Sequence, residues 1–220
     1  MPVNFESYTN IIEELKAKNV TLVAVSKTKP AEEILELYHL GQRDFGENYV
    51  QELTDKYEQL PKDIIWHFIG HLQSNKVKYI APFVSLIHGV DSKKLLTEIN
   101  KQAEKCNRVI DCLLQIHIAK EETKFGLDEN ELKEIINSDI NALKNMRFKG
   151  LMGMASFTDD MEKVRTEFRF LKSLFDQYST LSMVNGQWSS LSIGMSADYK
   201  IAIEEGSNMV RIGSLLFGKR

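Results

Sequence analysis

The feature that most constrains this chain is an alternation. Short β-rich runs and longer runs of helical period follow one another along almost all of its 220 residues. A leading helix comes first, with Phe5, Tyr8, Ile11, Ile12 and Leu15 on one face. The two-residue period then predicts strands at 21–27, 43–47, 64–70, 83–90, 109–118, 147–154, 191–194 and 209–217. Between them run helical segments at 31–40 (with Pro30 suited to a helix start), 49–60, from Ser74 onward, and 197–205. Three further helices are read from their apolar stripes: Leu95, Leu96, Ile99 and Ala103; Leu132, Ile135, Ile136 and Leu143; and Val164, Phe168, Leu171, Leu174, Phe175 and Tyr178. Eight βα units with no Pro/Gly/Ser-rich linker predict one domain over 1–220. The first strand ends in Ser26-Lys27-Thr28-Lys29-Pro30 rather than in a glycine-rich fingerprint, which favours closure over an open doubly wound sheet. The expected fold is α/β, a single TIM (β/α)8 barrel with an extra N-terminal helix.

Composition narrows the function. Lys and Arg number 28 against 31 Asp and Glu, a net charge of −3, which provides no general attraction to nucleic acid or an anionic membrane. A hydrophobic fraction of 43% supports a sizeable core and excludes wholesale disorder. No run of about 18 apolar residues suggests a membrane span, and the opening residues lack the pattern of a secretory signal. Cys106 and Cys112, without zinc spacing, read as unpaired structural cysteines of a reducing compartment, so a cytoplasmic location is expected.

In a barrel, chemistry belongs at the C-terminal ends of the strands. Lys27 closes the first strand on the same face as Val23 and Val25, pointing toward the mouth. Desolvation there would favour a neutral amine able to attack an aldehyde, although position alone favours a solvated strand-end lysine, since lysine is usually exposed. At the other end of the chain, Gly194, Ser196, Gly213 and Ser214 suit a phosphate held by backbone N–H groups and hydroxyls after strands seven and eight. They suit ordinary turns as well, with Ser196 capping the next helix. Asn48 reads as a helix cap or a ligand contact. His67 and His71 read as satisfied structural histidines rather than a metal pair, because no third ligand accompanies them. Lys124 is a loop cation able to draw an anion.

Five blocks are then distinctive: Val23-Ala-Val-Ser-Lys-Thr-Lys-Pro30, Phe45-Gly-Glu-Asn-Tyr-Val-Gln-Glu52, Trp66-His-Phe-Ile-Gly-His-Leu-Gln-Ser-Asn-Lys76, Leu191-Ser-Ile-Gly-Met-Ser-Ala-Asp198 and Val210-Arg-Ile-Gly213. In this order and spacing the chain resembles the pyridoxal phosphate homeostasis family, whose fold is the alanine racemase N-terminal barrel. The resemblance implies that Lys27 carries pyridoxal 5'-phosphate (PLP) as an internal aldimine. It further implies that Ser196, Gly213 and Ser214 hold the phosphate, that Arg211 faces the pyridine nitrogen, and that Asn48 contacts the ring. Ser214 stands where the family usually has threonine, keeping the hydroxyl and losing a methyl. An arginine at the pyridine nitrogen disfavours its protonation and weakens the electron sink, which points to a racemase-like or purely binding role.

The implied function is non-catalytic: a carrier that buffers or delivers PLP and so affects vitamin B6 and amino-acid and keto-acid balance. The alternative is an amino-acid racemase of the same barrel with weak activity. It would need a second base, and the chain reaches Arg220 directly after the last predicted strand without a second domain to supply one. A regulatory scaffold that reports cofactor status is a third reading. The expected partners are PLP and PLP-dependent apoenzymes, without nucleic acid or membrane. The expected state is monomeric, since a closed barrel leaves no sheet edge. Lys76 and Lys124 are left open as a second PLP contact.

Overall fold

Eight parallel strands pair in chain order and close on themselves: β1 (Thr21–Val25), β2 (Asp44–Glu47), β3 (Ile65–Phe68), β4 (Leu86–Val90), β5 (Ile110–Ile116), β6 (Met146–Gly153), β7 (Ser190–Met195) and β8 (Met209–Ile212). The structure is a computed structural model that describes residues 3–119, 125–138, 142–180 and 187–218. Closure is made by β1 and β8, in register at Thr21 with Met209 and Val23 with Arg211. The helices are α1 (Phe5–Ala17), α2 (Ala31–His39), α3 (Val50–Gln59), α4 (Val77–Ile80), α5 (Lys93–Lys105), α6 (Glu129–Asn137), α7 (Met161–Ser179), α8 (Tyr199–Glu204) and α9 (Ser214–Phe217). This is the expected TIM barrel with its additional N-terminal helix.

Strand alternation sorts the apolar residues into two layers. Val23, Leu86, Leu113, Met152 and Met209 form a small cluster of their own inside the barrel. The neighbouring positions Leu22, Ala24, Phe45, Trp66 and Phe68 face the other way and join the large core beneath the helices. Helix α7 contributes Val164, Phe168, Leu171, Leu174 and Tyr178 to that core, while α5 contributes Leu95, Leu96, Ile99 and Ala103.

The structure corrects several boundaries. The strand expected over 209–217 stops at Ile212; the chain turns at Gly213 and Ser214–Phe217 forms a short helix. That turn buries Leu216 and Phe217, and the Leu216 carbonyl accepts the Asn4 N–H at 2.8 Å, tying the C-terminal segment to the start of α1. Leu143 is not on α6, which ends at Asn137. In α1, Tyr8, Ile11 and Leu15 are buried but Phe5 is exposed, because it occupies the first turn. After β3 a 3-10 turn at Ser74–Lys76 leads into only one turn of α-helix. Both cysteines are free, and Cys112 is buried, which raises its thiol pKa.

Phe168 and Phe170 lie on one helix but on different faces, the first fully buried and the second 41% exposed. Phe168→Ala is expected to lower stability by about 3–5 kcal/mol in urea unfolding, while Phe170→Ala changes it by less than about 1 kcal/mol.

Candidate functional site

The C-terminal ends of the strands surround a cavity of about 740 Å³. Its size is ordinary for a small-ligand pocket. Lys27, Asn48, Ser196, Arg211, Gly213 and Ser214 all line it. They come from opposite ends of the chain and meet because β1 pairs with both β2 and β8. Lys27 continues the inward face of Val23 and Val25, and Val25 lies beside it in the cavity wall.

Two capping roles read from the sequence do not occur. Asn48 is not a cap: α3 begins after Tyr49, and no side chain there caps the helix. Instead Asn48 lines the cavity, with a buried Oδ1 that accepts no hydrogen bond from any described residue. Its backbone is fixed by Gly70 on the next strand end, where a Cβ would stand 2.3 Å from the Asn48 carbonyl oxygen; only glycine permits that approach. Ser196 likewise does not cap α8, whose N-cap position is Asp198. Its Oγ accepts the Gly213 N–H at 3.3 Å, joining the loops after β7 and β8.

Other candidates separate. Gly194 lies within β7, outside the cavity wall. Its φ of +96° and the Ala202 Cβ, which would sit 2.6 Å from an added Cβ, make it a packing position against α8. His71 is 40% exposed, pairs with Asp91 at 3.0 Å and stacks on Phe125. His67 is buried and bonded elsewhere, so the two histidines do not form a pair. Lys76 is not in the cavity wall; its ammonium lies 5.6 Å from the Tyr79 ring centroid. Lys124 lies outside the described residues.

Arg211 is 3% exposed, a cation inside a barrel. Its Nη1 donates to the Ser192 carbonyl oxygen at 2.6 Å and to Ser192 Oγ at 2.7 Å, and its Nη2 donates to the Gly153 carbonyl oxygen at 2.9 Å. Burial pulls its pKa down to about 10, opposed by Asp198, which leaves it charged at neutrality. Behind it runs a chain of polar contacts. His88 Nδ1 meets Ser192 Oγ at 3.1 Å, His88 Nε2 meets His67 Nδ1 at 2.9 Å, and His67 Nε2 meets Asp44 Oδ1 at 2.9 Å. One directional assignment satisfies every group: Arg211 donates to Ser192, Ser192 to His88, His88 to His67, and His67 to Asp44. His88 is kept neutral chiefly by burial, then by His67 and Arg211, all of which depress its pKa.

Sequence reasoning missed His88, Ser192 and Asp44 as one system. The signal was a polar residue in the middle of an apolar strand, visible in Leu86-Ile-His-Gly-Val90 and Leu191-Ser-Ile193. It also missed the wall after β6, where Met154 and Ala155 to Asp159 line the cavity and Glu167 holds the loop by accepting from Ser156 N–H and Oγ at 2.6 and 2.7 Å.

The family model described as "Alanine racemase, N-terminal domain" matches residues 4–220. A pyridoxal phosphate homeostasis protein of Aquifex aeolicus (strain VF5) is 46% identical over 200 residues, covering 90% of this chain and 86% of that protein. The chain belongs to the pyridoxal phosphate homeostasis protein family. PipY of Synechococcus elongatus PCC7942, solved with PLP bound, superposes with a TM-score of 0.85 at 31% identity, over 97% of this chain and 99% of that one. Alanine racemase from Bartonella henselae shares the fold, with a TM-score of 0.69 at 14% identity over 97% of this chain and 59% of that one. Among the described residues, no helix is long and apolar enough to cross a membrane.

Ser192→Ala removes one of the three acceptors of Arg211 and the donor to His88 together, leaving each buried group one partner short. A loss of about 1–3 kcal/mol in urea unfolding is expected, with a change in the His88 imidazole ¹⁵N shifts. Unchanged shifts would show that the chain of contacts does not run through Ser192.

Proposed function

We propose that this protein binds pyridoxal 5'-phosphate at the mouth of its barrel, carries it as a Schiff base on Lys27, and buffers or delivers it within the cell. In that role it affects vitamin B6 and the balance of amino and keto acids. The observation that carries the reading is the convergence of Lys27, Arg211 and the Ser196–Gly213–Ser214 group in one cavity. A ligand with an aldehyde, a phosphate and an aromatic nitrogen needs those chemical complements. The name of the Aquifex relative and the PLP-bound PipY structure support the same ligand. The buried, unpartnered Asn48 Oδ1 also fits a polar ligand, since leaving such an oxygen unsatisfied is costly.

When bound, the cofactor supplies an electrophilic aldehyde conjugated to an electron-withdrawing ring. Lys27 Nζ is the nucleophile toward that aldehyde. Ser196 and Ser214 offer hydroxyls to the phosphate, and the loop at Gly213 brings backbone near it. Arg211 would face the pyridine nitrogen as a cation, which would disfavour protonation there and hold the ring's electron demand low. Asn48, at the end of β2, would bound the ring.

On this reading, residues 1–220 act as one PLP-binding barrel domain without catalysis. It works as a monomer, with neither nucleic acid nor a membrane as partner, and its recipients are PLP-dependent apoenzymes. The non-catalytic reading is supported by the name of the Aquifex relative, a homeostasis protein. Weak racemisation is the alternative, and the shared racemase fold is what favours it.

The test is the visible spectrum of the protein loaded with PLP, before and after borohydride, followed by peptide mapping. The expected result is a band that disappears on reduction, with the pyridoxyl group on Lys27. Lys27→Ala is expected to fold normally and retain no reducible adduct, and normal retention would overturn the assignment. Chiral assay of common amino acids incubated with the loaded protein is expected to show no racemisation.

A further inference from the structure

The block Phe45-Gly-Glu-Asn-Tyr-Val-Gln-Glu52 contributes Asn48 to the cavity, yet two of its carboxylates point away from it. Along β1 and β2 the outward positions are Ala24, Ser26, Phe45 and Glu47, beneath α3, while Val25 and Lys27 line the cavity. Behind the sheet lies a buried ion cluster. Lys56 Nζ donates to the Ser26 carbonyl oxygen, to Glu47 Oε1 and to Glu52 Oε1, each at 2.7 Å. Those three bonds use all the protons of an ammonium. Ser26 Oγ adds a fourth contact, donating to Glu47 Oε1 at 2.6 Å.

The same cluster reaches the other side of Lys27. Glu52 Oε1 accepts the Thr28 backbone N–H at 2.5 Å. Ser26 to Lys29 form a turn closed by Lys29 N–H to the Ser26 carbonyl oxygen at 3.0 Å, with Lys27 and Thr28 at its centre. Thr28 has φ +63°. That conformation at the third position of a turn suits glycine or asparagine, and a β-branched residue adopts it only when its surroundings impose it. The Glu52 carboxylate on Thr28 N–H is the contact in place to impose it. The peptide groups before and after Lys27 are therefore gripped by one lysine and one glutamate, joined to each other.

We propose that Glu52 and Lys56 are positioning residues that hold the strained turn at Ser26–Lys29 and so aim Lys27 into the cavity. The proposal rests on the reading of Lys27 as the residue that carries PLP. It explains why α3 presents Lys56 to the core at all: the side chain is 7% exposed and lies on the same helix face as Leu53. Glu52 is the better residue to test than Glu47. Burial pushes the Glu47 carboxyl up to about 7 against the pull of Lys56 and Ser26, so a change there would alter a buried titration as well as the turn.

The experiment compares wild type, Glu52→Ala, Glu52→Gln and a control, Ile99→Ala, which empties part of the core under α5 away from the turn. The first readout needs no cofactor: hydrogen exchange of the Thr28 amide by NMR. In Glu52→Ala it is expected to accelerate at least about tenfold relative to amides in the strand core, whereas Ile99→Ala leaves that ratio unchanged. The second is the rate at which added PLP forms the borohydride-reducible band, expected to fall by about tenfold or more in Glu52→Ala. In Glu52→Gln, whose amide oxygen can still accept from Thr28, most of that rate is expected to return. Wild-type Thr28 exchange and wild-type adduct rate in Glu52→Ala would overturn the proposal, as would an equal slowing in Ile99→Ala. If wild type itself forms no adduct, the reading of Lys27 fails, and the Thr28 exchange ratio alone decides whether Glu52 holds the turn.

Discussion

Everything about this site depends on the pairing of β1 with β8. A parallel strand cannot be joined to its neighbour by a tight turn, so each strand of the barrel is delivered by a crossover, and the ring closes only when the last strand meets the first. That closure sets Val23 opposite Arg211 and carries Lys27 and Gly213 to the same rim, although 186 positions separate those two residues in the chain. Without it, the lysine and the glycine-serine segment would be unrelated strand ends.

Closure also creates an interior that must be filled, and this barrel fills it unequally. Five apolar side chains form one cluster. The rest of the inner face includes Arg211, Ser192, His88 and His67, which satisfy one another and end on Asp44. A buried cation is tolerable only with compensating acceptors, and here two carbonyl oxygens and a hydroxyl accept three of its hydrogen bonds. The ring system behind Ser192 then fixes which way that hydroxyl points. The barrel core therefore does two things at once: it packs the fold, and it holds the arginine at a set orientation under the cavity. A second polar cluster, on the outer side of the sheet, does the corresponding work for the lysine turn. Lys56 and Glu52 reach that turn from α3, whose Leu53 packs in the core.

Much of this was legible in the chain. Period-two and period-3.6 patterns located all eight strands and the long helices, because the faces they bury are apolar and wide. The rule that barrel chemistry sits at strand ends then selected Lys27, Asn48, Gly194, Ser196, Gly213 and Ser214, the family resemblance added Arg211, and of these seven all but Gly194 line one cavity. Boundaries failed where the chain bends over the rim. Residues 213–217 have the composition of a strand, yet Gly213 breaks the extended backbone and the segment turns to bury Phe217. Asn48 and Ser196 have the composition of helix caps, yet their helices start two and three residues after them, leaving those side chains to the cavity.

The sequence by itself determined the fold class, the order of the strands and the residue types available at each rim position. Those properties follow from local periodicity, and a one-residue slip in any strand would turn its inner face outward. Only the tertiary structure decided which polar residues act together. His67, His88 and Ser192 are spread over three strands, and Glu47, Glu52 and Lys56 over a strand and a helix; the i,i+4 spacing of Glu52 and Lys56 pairs those two locally, but no spacing joins them to Glu47 or links the two histidines and the serine. Their partnerships arise from strand register and from the lie of α3 across β1 and β2. A hydrogen bond depends on distances of a few tenths of an ångström, which the packing of the whole barrel sets and no local pattern encodes.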